Sequence, residues 1–151
     1  MHFKLIKEFL TYVEDCHIAL AELYQRLSLE SKNDKVKLLL EFMYYKEQLS
    51  YLQLHEYAQQ APSSLLETWL ENIFDQSIPM KCQQMQLQAD LDIEDVLALA
   101  LKLDTQLIEL MQTVAYNSPT PEAELALVSL THQEQENLHR VVMASNEFNY
   151  M

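Results

Sequence analysis

The 151-residue chain reads as an all-α four-helix bundle, two antiparallel hairpins joined by a long crossover with a short extra helix. Three observations predict this. The chain contains no glycine, so the glycine-dependent turns of β-hairpins are missing. Four helix-length segments repeat apolar residues every three to four positions, the period of a helix with one buried face. Two turn signals, Ser31-Lys32-Asn33 and Ser118-Pro119-Thr120-Pro121, divide those segments into two pairs.

The first helix is expected from Phe3 to Glu30, with the stripe Leu10, Val13, His17, Leu20, Tyr24, Leu27. Glu22 is off that stripe. Asn33 or Asp34 can cap the second helix, whose stripe is Val36, Leu40, Met43, Glu47, Ser50, Leu54, Tyr57 and which Pro62 ends. Ser63 and Ser64 can cap a short helix from Leu65 to about Asp75, anchored by Trp69 and stopped by Pro79. Residues 77–92 read as a connector with a helical turn around Gln83 to Gln88. Asp92, reinforced by Glu94 and Asp95, caps the third long helix, which runs to Tyr116 with Leu97, Leu101, Asp104 and Met111 on its stripe. Thr120 and Pro121 form an N-cap and first-turn pair for the fourth, which runs to Glu147. The whole is one domain: a hairpin over 3–60, the short helix and connector over 61–92, and a hairpin over 93–148.

Composition excludes several functions. Without glycine there is no P-loop, no dinucleotide-binding turn and no glycine-flanked nucleophile elbow. The formal charge of −13 repels nucleic acid and anionic membrane, so neither is expected as a partner. Cys16 and Cys82 lack zinc-ribbon or redox spacing. No apolar leader or membrane-spanning run is visible, and a reducing cytoplasmic setting is expected.

Each long helix carries a polar or ionisable residue within its apolar stripe: His17, Glu47 with Ser50, Asp104, and Glu136 flanked by His132 and His139. A charge in a bundle core is costly unless paired or bound to a cation. The heights agree. With the first turn centred on residue 32, His17 lies 15 residues before it (32 − 17) and Glu47 lies 15 after it (47 − 32). With the second turn centred on residue 120, Asp104 lies 16 before and Glu136 16 after. Since each residue rises about 1.5 Å, equal offsets mean equal height. The pattern reads as an internal repeat of 87 to 89 residues (104 − 17 and 136 − 47).

Two metal ions bridged by carboxylates need a Glu from two helices and a Glu-x-x-His pair from each of the other two. Glu136-Asn137-Leu138-His139 fits that spacing. On these residues the chain resembles the rubrerythrin-like branch of the ferritin-like superfamily, over roughly residues 10–60 and 93–145. In that family an aromatic follows the first ligand by seven residues, as Tyr24 follows His17. The Glu-x-x-His comes about 23 residues later, where this chain has Glu47-Gln48-Leu49-Ser50. Asp104 takes the third carboxylate position, with Met111 where an aromatic would stand. Glu136 and His139 match the second Glu-x-x-His after a loop two residues longer. The chain departs at His17, where the family has Glu, at Ser50, where it has His, and at Asp104, a shortened Glu.

The resemblance implies a metal site of His17, Glu47, Asp104, Glu136 and His139 holding one or two iron ions, or manganese, with oxygen and nitrogen ligands of matching hardness. It implies a non-haem di-iron or di-manganese oxidase or peroxidase served by a separate electron-donor protein, since two cysteines cannot build a Cys₄ iron site. The departures motivate a second expectation: a vestigial site without metal, in a bundle that acts as a homodimerisation or protein-interaction module.

Overall fold

The computed structural model describes residues 5–70, 77–86 and 90–150. Among them lie six helices: α1 (Ile6–Glu30), α2 (Asp34–Gln60), α3 (Ser63–Leu66), α4 (Ile78–Gln84), α5 (Ile93–Tyr116) and α6 (Pro121–Asn149). Three of the long helices, α2, α5 and α6, start where their capping chemistry places them. The Asn33 side chain accepts from the Lys35 and Val36 amides at 2.9 and 3.4 Å. Asp92 and Asp95 form a reciprocal box, each carboxylate accepting from the other's amide. Thr120 Oγ1 accepts from the Ala123 amide at 3.1 Å, with Pro121 in the first turn. No described residue has a positive φ. Extended residues such as Ser31 and Asn33 make the first hairpin turn, which is how a chain without glycine reverses direction.

The short turn makes α1 and α2 an antiparallel hairpin, and α5 and α6 form the second. The α1–α2 turn at Lys32 and Asn33 sits beside Asp90–Asp92, just before α5. The connection therefore runs the length of the bundle, and α5 leaves from the same end as α2. The start of that connection is pinned against the start of α1: Leu5 and Trp69 form an isolated antiparallel bridge, and the Ile6 amide donates to the Thr68 carbonyl at 3.0 Å. Helix α4 packs along α1. Arg26 of α1 donates to the carbonyls of Cys82 and Met85 at 3.1 and 3.0 Å, supplying donors to groups that the end of α4 leaves free.

The crossover departs from its sequence reading. The helix expected over Leu65–Asp75 is a single turn, Ser63–Leu66, followed by the extended Thr68–Leu70 segment. Residues 71–76 lie outside the described residues. Trp69 is exposed and anchors no helix among the described residues. Pro79 does not stop a helix but opens one: it sits in the first turn of α4, where its missing N–H costs nothing. The turn expected around Gln83–Gln88 is the end of α4, and residues 87–89 lie outside the described residues.

The core is continuous. It takes Phe9, Leu10, Val13, Leu20 and Leu23 from α1, Leu39, Leu40 and Met43 from α2, Leu103, Leu107 and Met111 from α5, and Leu127 and Leu130 from α6. The α1 stripe is buried as read, and so is that of α2 except for the half-buried Tyr57. The core-facing line of α5 is Val96, Ala100, Leu103, Leu107 and Met111, so Leu97 is only half-buried and Leu101 is exposed.

A carboxylate–imidazole–carboxylate bridge in the bundle core

At the centre of α1, where Val13 and Leu20 pack one turn to either side, His17 is buried to 1% exposure. Its two ring nitrogens reach two carboxylates on two other helices. Nδ1 lies 2.6 Å from Glu47 Oε2 on α2, and Nε2 lies 2.7 Å from Glu134 Oε1 on α6. Both distances are short, as for charge-assisted bonds. Only the doubly protonated imidazolium can donate at both nitrogens. Burial pushes the His17 pKa down, but the Glu134 and Glu47 charges, and then the hydrogen bonds that His17 donates to those groups, outweigh it and hold it well above its ordinary value.

Two further groups line the same space. Burial, followed by the Glu47 and Glu134 charges, raises the Asp104 carboxyl on α5 well above its usual range despite the opposing pull of His17. Burial likewise raises Glu47, partly offset by His17. The Tyr24 phenol, one side of which faces Asp104 and Glu47, is kept protonated chiefly by burial and then by those charges. Its hydroxyl has no hydrogen-bond partner among the described residues. One turn beyond the carboxylates, Asn137 Nδ2 donates to Ser50 Oγ at 3.1 Å, closing the gap between α6 and α2.

Of the residues singled out in the sequence, the structure brings His17, Glu47 and Asp104 together and places Ser50 beside them. It does not bring in Glu136 or His139. Both are exposed on α6, with His132 on the same outer side. Glu136 and His132 line an open groove of about 680 Å³ between α2 and α6 instead. The inward carboxylate is Glu134. Each helical residue turns about 100°, so a two-residue slip carries a side chain from the core to the opposite face. Glu22 is exposed, as read. His55 pairs with Glu14 at 3.1 Å and stacks on Tyr51, away from the bridge.

The signal for Glu134 was present in the sequence. His17 to Asp104 is a step of 87 (104 − 17), and so is Tyr24 to Met111 (111 − 24). Applied without drift, the same step takes Glu47 to Glu134 (47 + 87) and Ser50 to Asn137 (50 + 87). A step of 89, which the equal offsets of Asp104 and Glu136 about residue 120 suggest, lands instead on Glu136, whose side chain is exposed.

These residues do not fit a two-metal carboxylate centre. Such a centre takes a carboxylate from each of two helices and Glu-x-x-His from each of the other two. Here the two imidazole positions are Ser50 and Asn137, bonded to each other. One lone-carboxylate position is His17, with both nitrogens committed. Among the described residues no group of three or more His, Cys, Asp or Glu side chains is arranged to hold a metal ion.

The architecture, with its paired hairpins, lengthwise crossover and polar centre, is a ferritin-like four-helix bundle. A crystal structure of a protein of Thermotoga maritima, described as a candidate ferritin-like diiron-carboxylate protein, superposes with a TM-score of 0.61 over 97% of this chain and 98% of that one, at 17% identity. At that identity the likeness concerns the fold. No protein-family model matches the sequence, and neither does any curated protein. Among the described residues no helix is long and apolar enough to cross a membrane.

Proposed function

We propose that this chain is a ferritin-like bundle that has exchanged two-metal chemistry for an internal cation of its own, and that it serves as a protein-interaction module rather than as an oxidase or peroxidase. The observation that carries the reading is the placement of His17. Its imidazolium stands between Glu47 and Glu134, supplying from within the chain the positive charge that a carboxylate pair largely withdrawn from water requires. The Ser50–Asn137 bond supports it, since both residues occupy positions where metal chemistry asks for imidazole.

The test is metal content, measured by plasma mass spectrometry on untagged protein from iron- and manganese-supplemented medium. The parent should carry no stoichiometric metal. A His17→Glu/Ser50→His/Asn137→His variant, which rebuilds the missing ligands, should acquire iron. Two ions per chain in the parent would overturn the proposal.

A second reading has one specific observation in its favour, the partnerless Tyr24 hydroxyl beside Asp104. In it, Asp104 and Glu134, with His17 oriented by Glu47, would hold one iron or manganese ion through oxygen and nitrogen ligands. One ion per chain in the parent, lost in Asp104→Asn, would select that reading.

A further inference from the structure

The core bridge can be reached from one side of the bundle. His17 and Glu47 form the floor of a groove of about 600 Å³ between α1 and α2. Glu47 Oε2 takes the short bond from His17, while no described residue donates to Oε1. Nor is Oε1 shut off from solvent, in contrast to the unpartnered Tyr24 hydroxyl. A strong acceptor, on a side chain that is otherwise buried, therefore stands open at the bottom of the groove.

The walls above it are mostly apolar. Ile18 and Ala21 come from α1 and Leu52 from α2, and the Tyr44 and Tyr51 rings border the groove as well. Those two tyrosines lie two turns apart on α2, about 10 Å along its axis, with Glu47 between them. Both rings are held in place by the fold itself. The Tyr44 hydroxyl accepts from Gln48 Nε2 at 2.7 Å, and its ring meets Tyr45 edge to face. Tyr51 stacks on His55, which is paired with Glu14. Rings fixed in advance lose little entropy when something binds against them.

Charge selects the occupant. No Lys or Arg lines the groove; its charged groups are His17, Glu47 and, at the mouth, the exposed Glu22. With Glu134 behind His17, three carboxylates surround one imidazolium. An anion is repelled there. A neutral apolar molecule would cover Oε1 without giving it a donor, which is costly. A bare metal ion finds too few ligands between Ile, Ala and Leu walls, and no group of three or more His, Cys, Asp or Glu side chains among the described residues is arranged to hold one. What fits is a cation that carries N–H donors on an apolar body. Tyrosine rings attract such a cation, and the groove has the volume of a small-molecule site.

We infer that the α1–α2 groove binds a small organic amine in its ammonium form. The ammonium donates to Glu47 Oε1 between Tyr44 and Tyr51, Glu22 adds attraction at the mouth, and the apolar body lies on Ile18, Ala21 and Leu52. This goes beyond the interaction-module reading and does not rest on it, since metal content is measured separately.

The test is calorimetric titration of the full-length chain with phenethylamine, beside phenethyl alcohol and hydrocinnamate, which keep the apolar body and change the charge. The amine should saturate one site per chain. The alcohol should bind at least about tenfold more weakly, for want of a charge-assisted hydrogen bond, and the carboxylate should not bind. Glu22→Gln leaves the core bridge intact; it should weaken the amine several-fold and reduce the salt dependence of binding. Tyr44→Leu/Tyr51→Leu should weaken it too, whereas Glu136→Gln in the α2–α6 groove should not. Glu47→Gln, checked for parental helicity, should abolish binding; if that variant unfolds, the alcohol and Glu22→Gln decide. Absence of saturable binding, equal binding of the alcohol, or equal losses in Glu22→Gln and Glu136→Gln would overturn the inference. So would a capped tripeptide with one central lysine that binds more tightly than the free amine, a result that would give the groove to a protein side chain.

Discussion

His17 shows what a single buried ionisable group demands of its neighbours. An imidazolium with both N–H groups committed to carboxylates is stable in a core only while both partners remain. His17→Ala would leave Glu47 and Glu134 facing one another without a cation. Breaking a buried pair in this way costs about 3–5 kcal/mol, readable from urea unfolding. His17→Leu combined with Glu47→Gln and Glu134→Gln removes every charge in the bridge and should recover most of that loss. A His17→Ala loss under about 1 kcal/mol would mean that the bridge behaves like an exposed ion pair.

At the scale of the element, α6 is decided by its phase. Its core line runs through Ala123, Leu127, Leu130, Glu134 and Val141, while His132, Glu136 and His139 share the outer side. Glu134→Ala removes a partner of a buried imidazolium and should cost about 3 kcal/mol or more. Glu136→Ala and His139→Ala should each change stability by less than about 0.5 kcal/mol, as exposed substitutions do. Thermal or urea unfolding of the three variants decides the register; a large loss in Glu136→Ala would return the interior position to that residue. The same helix shows why motif spacing misled. Glu136-x-x-His139 is a well-formed metal-ligand spacing, but spacing within one helix says nothing about which way that face points. The repeat between hairpins does.

For the molecule as a whole, the bridge couples stability to pH. The folded pKa of His17 lies above its ordinary value, so its contribution is fully present below about pH 6.5 and is lost as pH rises through the raised value. Asp104, also raised, keeps a proton in the folded state that the unfolded chain would release, and its effect has the same sign. Unfolding midpoints should therefore fall between about pH 6 and pH 9, a range in which ordinary surface carboxylates are already ionised. His17→Ala should flatten that slope. A parent midpoint that is constant or rises over this range would contradict the protonated bridge.

The sequence alone determined the helical class, the pairing into two hairpins, the caps at Asp92 and Thr120, and the meeting of His17, Glu47 and Asp104 at one height. These are local or periodic properties, set by side-chain chemistry within a turn or two. The tertiary structure alone decided which face of α6 looks inward, that Ser50 and Asn137 join across the bundle, that Pro79 opens a helix, and that Trp69 lies exposed on an extended strap. Each of these depends on rotation about a helix axis or on a contact between distant segments. A residue's own neighbours in the chain do not specify either one.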